Sequence, residues 1–272
     1  LWWAEGITSY YNDVMLQRAG LRPDGWFWSS QSSNFLSVRR SPGYGTNSPE
    51  RSSWTVWDPD PSKSISYYSQ GQMLGLLLDI KIRAHTENQR SLDDVLAFLA
   101  RWIDYPGPGY GDDELQKAIY AVTGWDCEQF FDRHVEGLIA PPFQEVLPLA
   151  GLDVTWIEAD DPYVGLGFGE GLELAIREGT PAGDAGLETG DRLLAIGEDR
   201  VRDLNEVRAA LADVVPGQEI IVRVRRGGST KDLTIVVAER GRMTFRISEA
   251  EDASPEQIAI REGILTGTPR SI

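Results

Sequence analysis

The feature that most constrains this chain is a change of hydrophobic period at Ala140-Pro141-Pro142. Upstream, apolar residues recur at helical spacing; beyond Leu149 they fall into short runs separated by glycine turns. One element cannot keep both periods, so the spacing predicts two bodies, a mainly α-helical one followed by a small α+β module. A length of 272 residues suits about two domains. The expected boundaries are residues 1–150, 151–240 and a charged C-terminal tail at 241–272.

Within the first body, residues 3–19 read as a helix that stops at Gly20 and sets Glu5, Thr8, Ser9 and Asn12 on one face. Residues 21–66 shift to Ser, Pro, Gly and aromatics, with turn signals at Ser41-Pro42-Gly43 and Asp58-Pro59-Asp60-Pro61. They are expected to form a loop that serves as a lid or site wall. From Tyr67 to Thr86, a stripe of Met73, Leu77 and Ile80 is widened by Leu74, Leu78 and Ile82, the pattern of a buried helix. Ser91-Leu92-Asp93-Asp94 resembles a capping box and opens another helix through Leu99. Shorter helices are expected over 112–122 and 126–136. In the second body, β-like runs cover 164–168, 172–176, 192–196, 219–224 and 233–237, with a helix over 204–212 capped by Asp203. A last helix over 254–262 and a frayed end complete the reading.

Composition excludes several functions. Acidic residues outnumber basic ones, 42 to 26, for a net charge of −16, so the field opposes nucleic acid and anionic membrane. The richest apolar run, Met73 to Ile82, is broken by Gly75 and Asp79 and is too short for a membrane span. A single cysteine, Cys127, rules out an internal disulfide and a Cys-rich zinc site. With no basic neighbour it reads as a packed thiol. Neither G-x-S-x-G nor G-N-S-G-G occurs, which disfavours a serine protease. The two histidines, His85 and His134, have no partner at ligand spacing, and no H-E-x-x-H is present, so both read as structural.

The opening Leu1-Trp2-Trp3-Ala4-Glu5-Gly6 and, further on, Tyr67-Tyr68-Ser69-Gln70-Gly71 resemble the glycyl aminopeptidase family of gluzincin metallopeptidases. The likeness continues through Leu76-Leu77-Leu78-Asp79, Arg90 to Val95 and Phe130 to Gly137, covering essentially residues 1–150. It implies a thermolysin-like C-terminal subdomain in which Glu5 is the third zinc ligand. It also implies that the Tyr68 phenol donates to the oxyanion of the tetrahedral intermediate. Family members commonly carry Lys where this chain has Gln70, a difference that bears on charge near the site. Apart from the family pattern, Glu5 reads as a solvated first-turn carboxylate and Tyr68 as a packing residue. The family's two His ligands and base Glu are expected upstream of Leu1. This polypeptide alone is expected to hold no zinc and to be inert, since one carboxylate cannot retain the ion.

Residues 160–240 resemble a PDZ domain of the bacterial protease-associated type, on Tyr163-Val164-Gly165-Leu166-Gly167-Phe168 and on Ala185-Gly186-Leu187-Glu188-Thr189-Gly190-Asp191. The resemblance implies that backbone N–H groups of Gly165, Leu166, Gly167 and Phe168 receive the C-terminus of an extended peptide. Leu204, Arg208 and Leu211 would line the helix side of the groove. The usual His at the helix start has no counterpart, Leu204 standing there, so an apolar ligand side chain is expected. The expected function is therefore the C-terminal portion of a zinc metallo-aminopeptidase with a peptide-binding PDZ domain. Its partners would be peptide substrate, a C-terminal peptide and the missing N-terminal half of the peptidase. The rival is a non-catalytic PDZ-bearing scaffold, and the upstream sequence decides between them.

Overall fold

The computed structural model describes residues 1–58, 60–103, 109–111 and 113–267. They form two compact units, one comprising Leu1–Trp156 and Thr244–Ile272, the other Ile157–Met243.

The first unit is built on α1 (Ala4–Arg18), α2 (Trp26–Arg40), α3 (Pro49–Trp54) and α4 (Tyr67–His85), followed by α5 (Leu92–Trp102), α6 (Glu114–Thr123), α7 (Glu128–Phe131) and α8 (Phe143–Val146). Helix α4 is its axis, with Leu74, Leu77, Leu78, Ile80 and Ile82 fully buried. Buried apolar side chains all round mark a helix with neighbours on every side. At Asp79, charge enters this interior in paired form. The Asp79 carboxylate accepts from Arg83 Nε at 3.0 Å, from the Tyr10 hydroxyl at 2.9 Å and from Leu92 N–H at 3.0 Å. All three side chains are essentially inaccessible, so each needs the others. The capping box at Ser91 forms as expected, with Asp94 accepting from the Ser91 N–H at 2.9 Å.

Part of the segment read as loop is helical. α2 buries Phe27, Trp28, Gln31, Phe35 and Val38 on one side, a helical stripe obscured in sequence by its serines. α3 starts at Pro49 behind Ser48, whose hydroxyl accepts from the Arg51 N–H at 3.2 Å. The charged C-terminal region is not a free tail. After β1 (Leu152–Tyr163), the chain returns on β6 (Ala238–Glu249), and the two strands pair. Phe245 of β6 lies 4.0 Å from Phe35 and 4.9 Å from Trp156, ring centre to ring centre. The final helix, Pro255–Thr266, carries a capping box at Ser254 and Gln257. It is fastened by Asn88 Nδ2 to Ala259 O at 2.8 Å, Arg18 Nε to Ile264 O at 3.0 Å and Arg261 Nη1 to Gly151 O at 2.9 Å. The expected frayed end lies outside the described residues, as does Asp112 at the start expected for α6.

The second unit is an antiparallel sheet in the order β3-β2-β4-β5, from β2 (Arg192–Ile196), β3 (Asp199–Arg200), β4 (Glu219–Arg226) and β5 (Ser229–Val236). With it are α9 (Pro181–Asp184) and α10 (Leu204–Ala210). Val222, Val224 and Ile235 alternate inward along β4 and β5, giving an aliphatic core with Leu174, Leu187 and Leu193. The runs expected as strands at 164–168 and 172–176 make isolated bridges in place of full strands, Phe168 to Leu174 and Glu173 to Arg192 of β2. Gly167, Gly169 and Gly171 leave that hairpin few side chains to pack.

Candidate functional sites

The first site forms where α1 crosses α4. Trp2 and Trp3 are buried and meet edge to face at 5.6 Å, Trp2 also lies 5.9 Å from Phe131, and the Trp2 backbone N–H donates to Ser53 Oγ at 2.8 Å. These contacts fix the start of α1, so Glu5 stands half-buried in its first turn. Helix α4 begins behind Ser66, whose hydroxyl accepts from the Ser69 N–H at 3.3 Å. Tyr68 is 42% exposed and stacks on Tyr67 at 4.7 Å, with rings 30° apart. The Tyr68 phenol is held above its usual range, first by hydrogen bonding to Tyr67, then by desolvation and the neighbouring charge of Glu5. Two residues far apart in sequence therefore share one surface.

Gln70, the position that differs from the family habit, is buried and neutral. Its Oε1 accepts from Ser52 Oγ at 2.7 Å and its Nε2 donates to Asn47 O at 3.1 Å. It ties the segment before α4 to the helix that bears Tyr68, a role for which a bare cation at the same place is ill suited. Sequence reading did not anticipate this tether. A serine four residues into α3 and a glutamine in α4 carry no spacing signal for it.

The described residues offer a metal one carboxylate here, with a phenol beside it. Among them, no group of three or more His, Cys, Asp or Glu side chains stands together. They fit a single donor to a zinc ion, not a complete ligand set. His85 is exposed at the end of α4. His134 is buried, with Nδ1 3.0 Å from Ile139 O, and desolvation pushes its pKa down. Cys127 is buried, and burial pushes its thiol up to about 12, which suits packing rather than nucleophilic chemistry. Along the outer side of α1 runs an apolar groove of about 660 Å³, lined by Trp3, Ile7, Tyr11, Met15, Leu21 and Leu96. Met15 and Leu21 are more than half exposed, at 53% and 68%. No described helix is long and apolar enough to cross a membrane.

The second site lies in the other unit. Gly165 has φ +75°, and a Cβ there would stand 2.6 Å from Thr180 Cβ, so only glycine makes this turn without strain. The hairpin that follows is closed by Ala175 N–H to Gly167 O at 2.9 Å and Gly169 N–H to Glu173 O at 2.8 Å. In an antiparallel pair the bonded groups alternate sides, so the Phe168 N–H and C=O face the opposite edge. That edge can accept one more strand. Below it, Asp191 is almost fully buried and accepts from Arg226 Nε and Nη2, each at 2.6 Å, while Arg226 Nη2 also donates to Gly186 O at 2.8 Å. Arg226 thus secures the Ala185–Asp191 stretch.

Helix α10 is shorter than expected. It is capped by Asp203, which accepts from Asn205 N–H at 2.7 Å and Glu206 N–H at 2.9 Å. Leu204 is 39% exposed, Arg208 is exposed and donates to Asn205 Oδ1 at 3.0 Å, and Leu211, just past the helix, packs against the core. Val207, on the helix between them, is buried. Leu204 and Arg208 are therefore accessible, whereas Leu211 is partly committed to the interior.

Comparison with known proteins finds matches to both units. Over 99% of its length the chain follows an aminopeptidase N family protein from Idiomarina loihiensis, at 20% identity and a TM-score of 0.67. That likeness is one of fold, and the chain covers 49% of that protein, about half its length. A serine endoprotease from Yersinia pestis is similar over 30% of this chain and 30% of its own, at 28% identity and a TM-score of 0.28. The PDZ domain of HtrA3, solved with a phage-derived ligand, is similar over 32% of this chain and 92% of its own, at 17% identity and a TM-score of 0.26. No curated protein matches the sequence. Residues 1–74, which hold Glu5 and Tyr68, match the M61 glycyl aminopeptidase family, and residues 154–237, which hold the Gly165 turn and α10, match the PDZ domain family.

Proposed function

We propose that this chain is the C-terminal portion of a zinc metallo-aminopeptidase with a peptide-binding PDZ domain. In this reading the first unit is the thermolysin-like C-terminal subdomain of a gluzincin. The observation that supports it is the meeting of Glu5 and Tyr68 on one surface, inside the stretch that matches M61 glycyl aminopeptidases. Glu5 supplies one of three protein ligands, the two histidines and the general base coming from a preceding segment outside this sequence. The apolar groove along α1 is where that segment packs. Zinc, when bound, polarises the scissile carbonyl and activates water. The Tyr68 phenol, kept protonated by its surroundings, donates a hydrogen bond to the oxygen on which charge develops.

The test is to extend the chain with its preceding coding sequence and measure metal content together with hydrolysis of peptides bearing N-terminal glycine. Glu5→Gln should lose zinc, whereas Tyr68→Phe should keep zinc and lose turnover. Zinc content unchanged by Glu5→Gln would remove the ligand assignment. If the preceding segment lacks H-E-x-x-H, the rival reading of a non-catalytic scaffold takes its place.

The second unit, in the same reading, takes the free C-terminus of an extended peptide. The turn at Gly165 to Phe168 receives the carboxylate, the open edge at Phe168 receives the strand, and Leu204 contacts an apolar side chain. Titration with free-acid and amidated forms of one peptide library checks it. Equal binding of both forms would leave the module a packing element only.

A further inference from the structure

The α1–α4 crossing is closer than side chains permit. A Cβ built on Gly6 would stand 2.7 Å from the Gly71 carbonyl carbon, and one on Gly71 would stand 2.7 Å from Gly6 Cα and 2.9 Å from the Trp2 carbonyl carbon. Every one of these obstacles is backbone, which cannot rotate aside. One turn further along the same crossing, Gly75 differs. Its Cβ would meet Ile7 Cδ1 and Tyr10 Cβ at 3.1 Å, and these are side-chain atoms. Glu5 immediately precedes Gly6, and Tyr68 lies one turn before Gly71 on α4, so the tightest point of the crossing sits beside both.

We infer that Gly6 and Gly71 are positioning residues whose backbone contact sets the separation between the Glu5 carboxylate and the Tyr68 hydroxyl. The inference rests on the proposed roles of those two groups, yet it concerns their alignment and is measured in this chain without metal. Helix axes ordinarily pack 8–10 Å apart, the spacing depending on the side chains between them. An alanine at either glycine must widen the crossing by roughly the thickness of a methyl group, and a displacement of about 1 Å at a catalytic pair is enough to spoil its geometry.

The experiment uses the chain labelled with 13C-tyrosine, the Tyr68 ring resonance being assigned by its loss in Tyr68→Phe. In the otherwise unmodified protein, Glu5→Gln should shift that resonance, because a charge close to the phenol has been removed. In Gly6→Ala and in Gly71→Ala backgrounds, the response to Glu5→Gln should disappear while circular dichroism remains helical. In Gly75→Ala it should persist, even where the unfolding midpoint falls, so lost stability alone does not mimic the result. A response retained in either of the first two backgrounds, or lost equally in Gly75→Ala, would overturn the inference. So would an unshifted resonance in the unmodified background, an arm that does not depend on any glycine variant folding. Failure of the zinc reading is seen separately, in metal content of the extended chain, and leaves this measurement intact.

Discussion

The two units place their candidate sites by opposite means. In the second, the turn at Gly165, the open edge at Phe168 and the strand partner at Ala175 follow one another within about ten residues, so local chain geometry shapes the turn-and-edge part of the site. In the first, Glu5 and Tyr68 belong to different helices and meet only because α1 packs on α4 across paired glycines. The cores differ in the same sense. The second is aliphatic and alternates along strands; the first is rich in aromatics and encloses the Tyr10, Asp79 and Arg83 network. A site made locally tolerates much change elsewhere in its unit, whereas a site made by a crossing inherits every shift of the helices that form it.

The largest expected effect strikes the crossing-made site. In the extended protein, Tyr68→Phe should lower kcat by roughly 10²-fold or more, with zinc retained, as loss of one oxyanion donor does. Steady-state kinetics with metal analysis measures it, and near-normal turnover would break the contrast by making Tyr68 a packing residue. Next is the core that holds the crossing. Leu77 is wholly buried on α4, so Leu77→Ala should destabilise the first unit by about 2–5 kcal/mol. Denaturant unfolding followed separately by tryptophan emission and by PDZ peptide binding should show the second unit unmoved; a joint shift would mean the units unfold together.

A smaller effect is expected at the second unit's site, on the side that α10 supplies. Leu204→Glu puts an acid where an apolar ligand side chain docks, and a loss of about 1–3 kcal/mol in peptide affinity, roughly 5–150-fold in Kd, is expected. Titration of the chain should show it while the unfolding midpoint stays constant, since Leu204 is solvent-accessible. Last comes acid. Burial holds His134 below its usual value, so between that value and the unfolded one, about 6.5, the native state binds fewer protons. The stability it contributes is therefore present above about pH 6.5 and declines as pH falls through that range. Asp191 is held below its usual range by its hydrogen bonds from Arg226. Its contribution is present above the unfolded value of about 3.9 and is lost as pH falls further, through the folded one. The first unit should thus begin to weaken at higher pH than the second, and thermal scans across pH 7 to 3 compare them. His134→Gln should remove the early loss.

Much of this organisation was legible in the chain itself. Helical spacing in Met73 to Ile82 locates a buried helix, because burying such a stripe has one efficient solution. Alternation in Glu219 to Val224 and the turn glycines at Gly165 and Gly190 mark the second module for an equally local reason. Glu5 and Tyr68 were legible only as parts of a family pattern, not from their own surroundings. The helix at Trp26 to Arg40 was missed because polar Gln31 and Ser32 stand on its buried face and dilute the periodic signal. Strands β1 and β6 were missed because their acidic and basic residues mask short alternations such as Phe245 and Ile247.

What the sequence determined by itself is therefore whatever a segment settles through its own period, caps and turns: two bodies, a buried axial helix, a glycine turn before an open strand edge. The tertiary structure alone decided the rest. It brought Glu5 to Tyr68, enclosed Gln70 between Ser52 and Asn47, and carried the C-terminal helix back onto the first unit. Those outcomes depend on contacts between residues distant in the chain, whose free energy comes from packing and desolvation rather than from any local backbone preference.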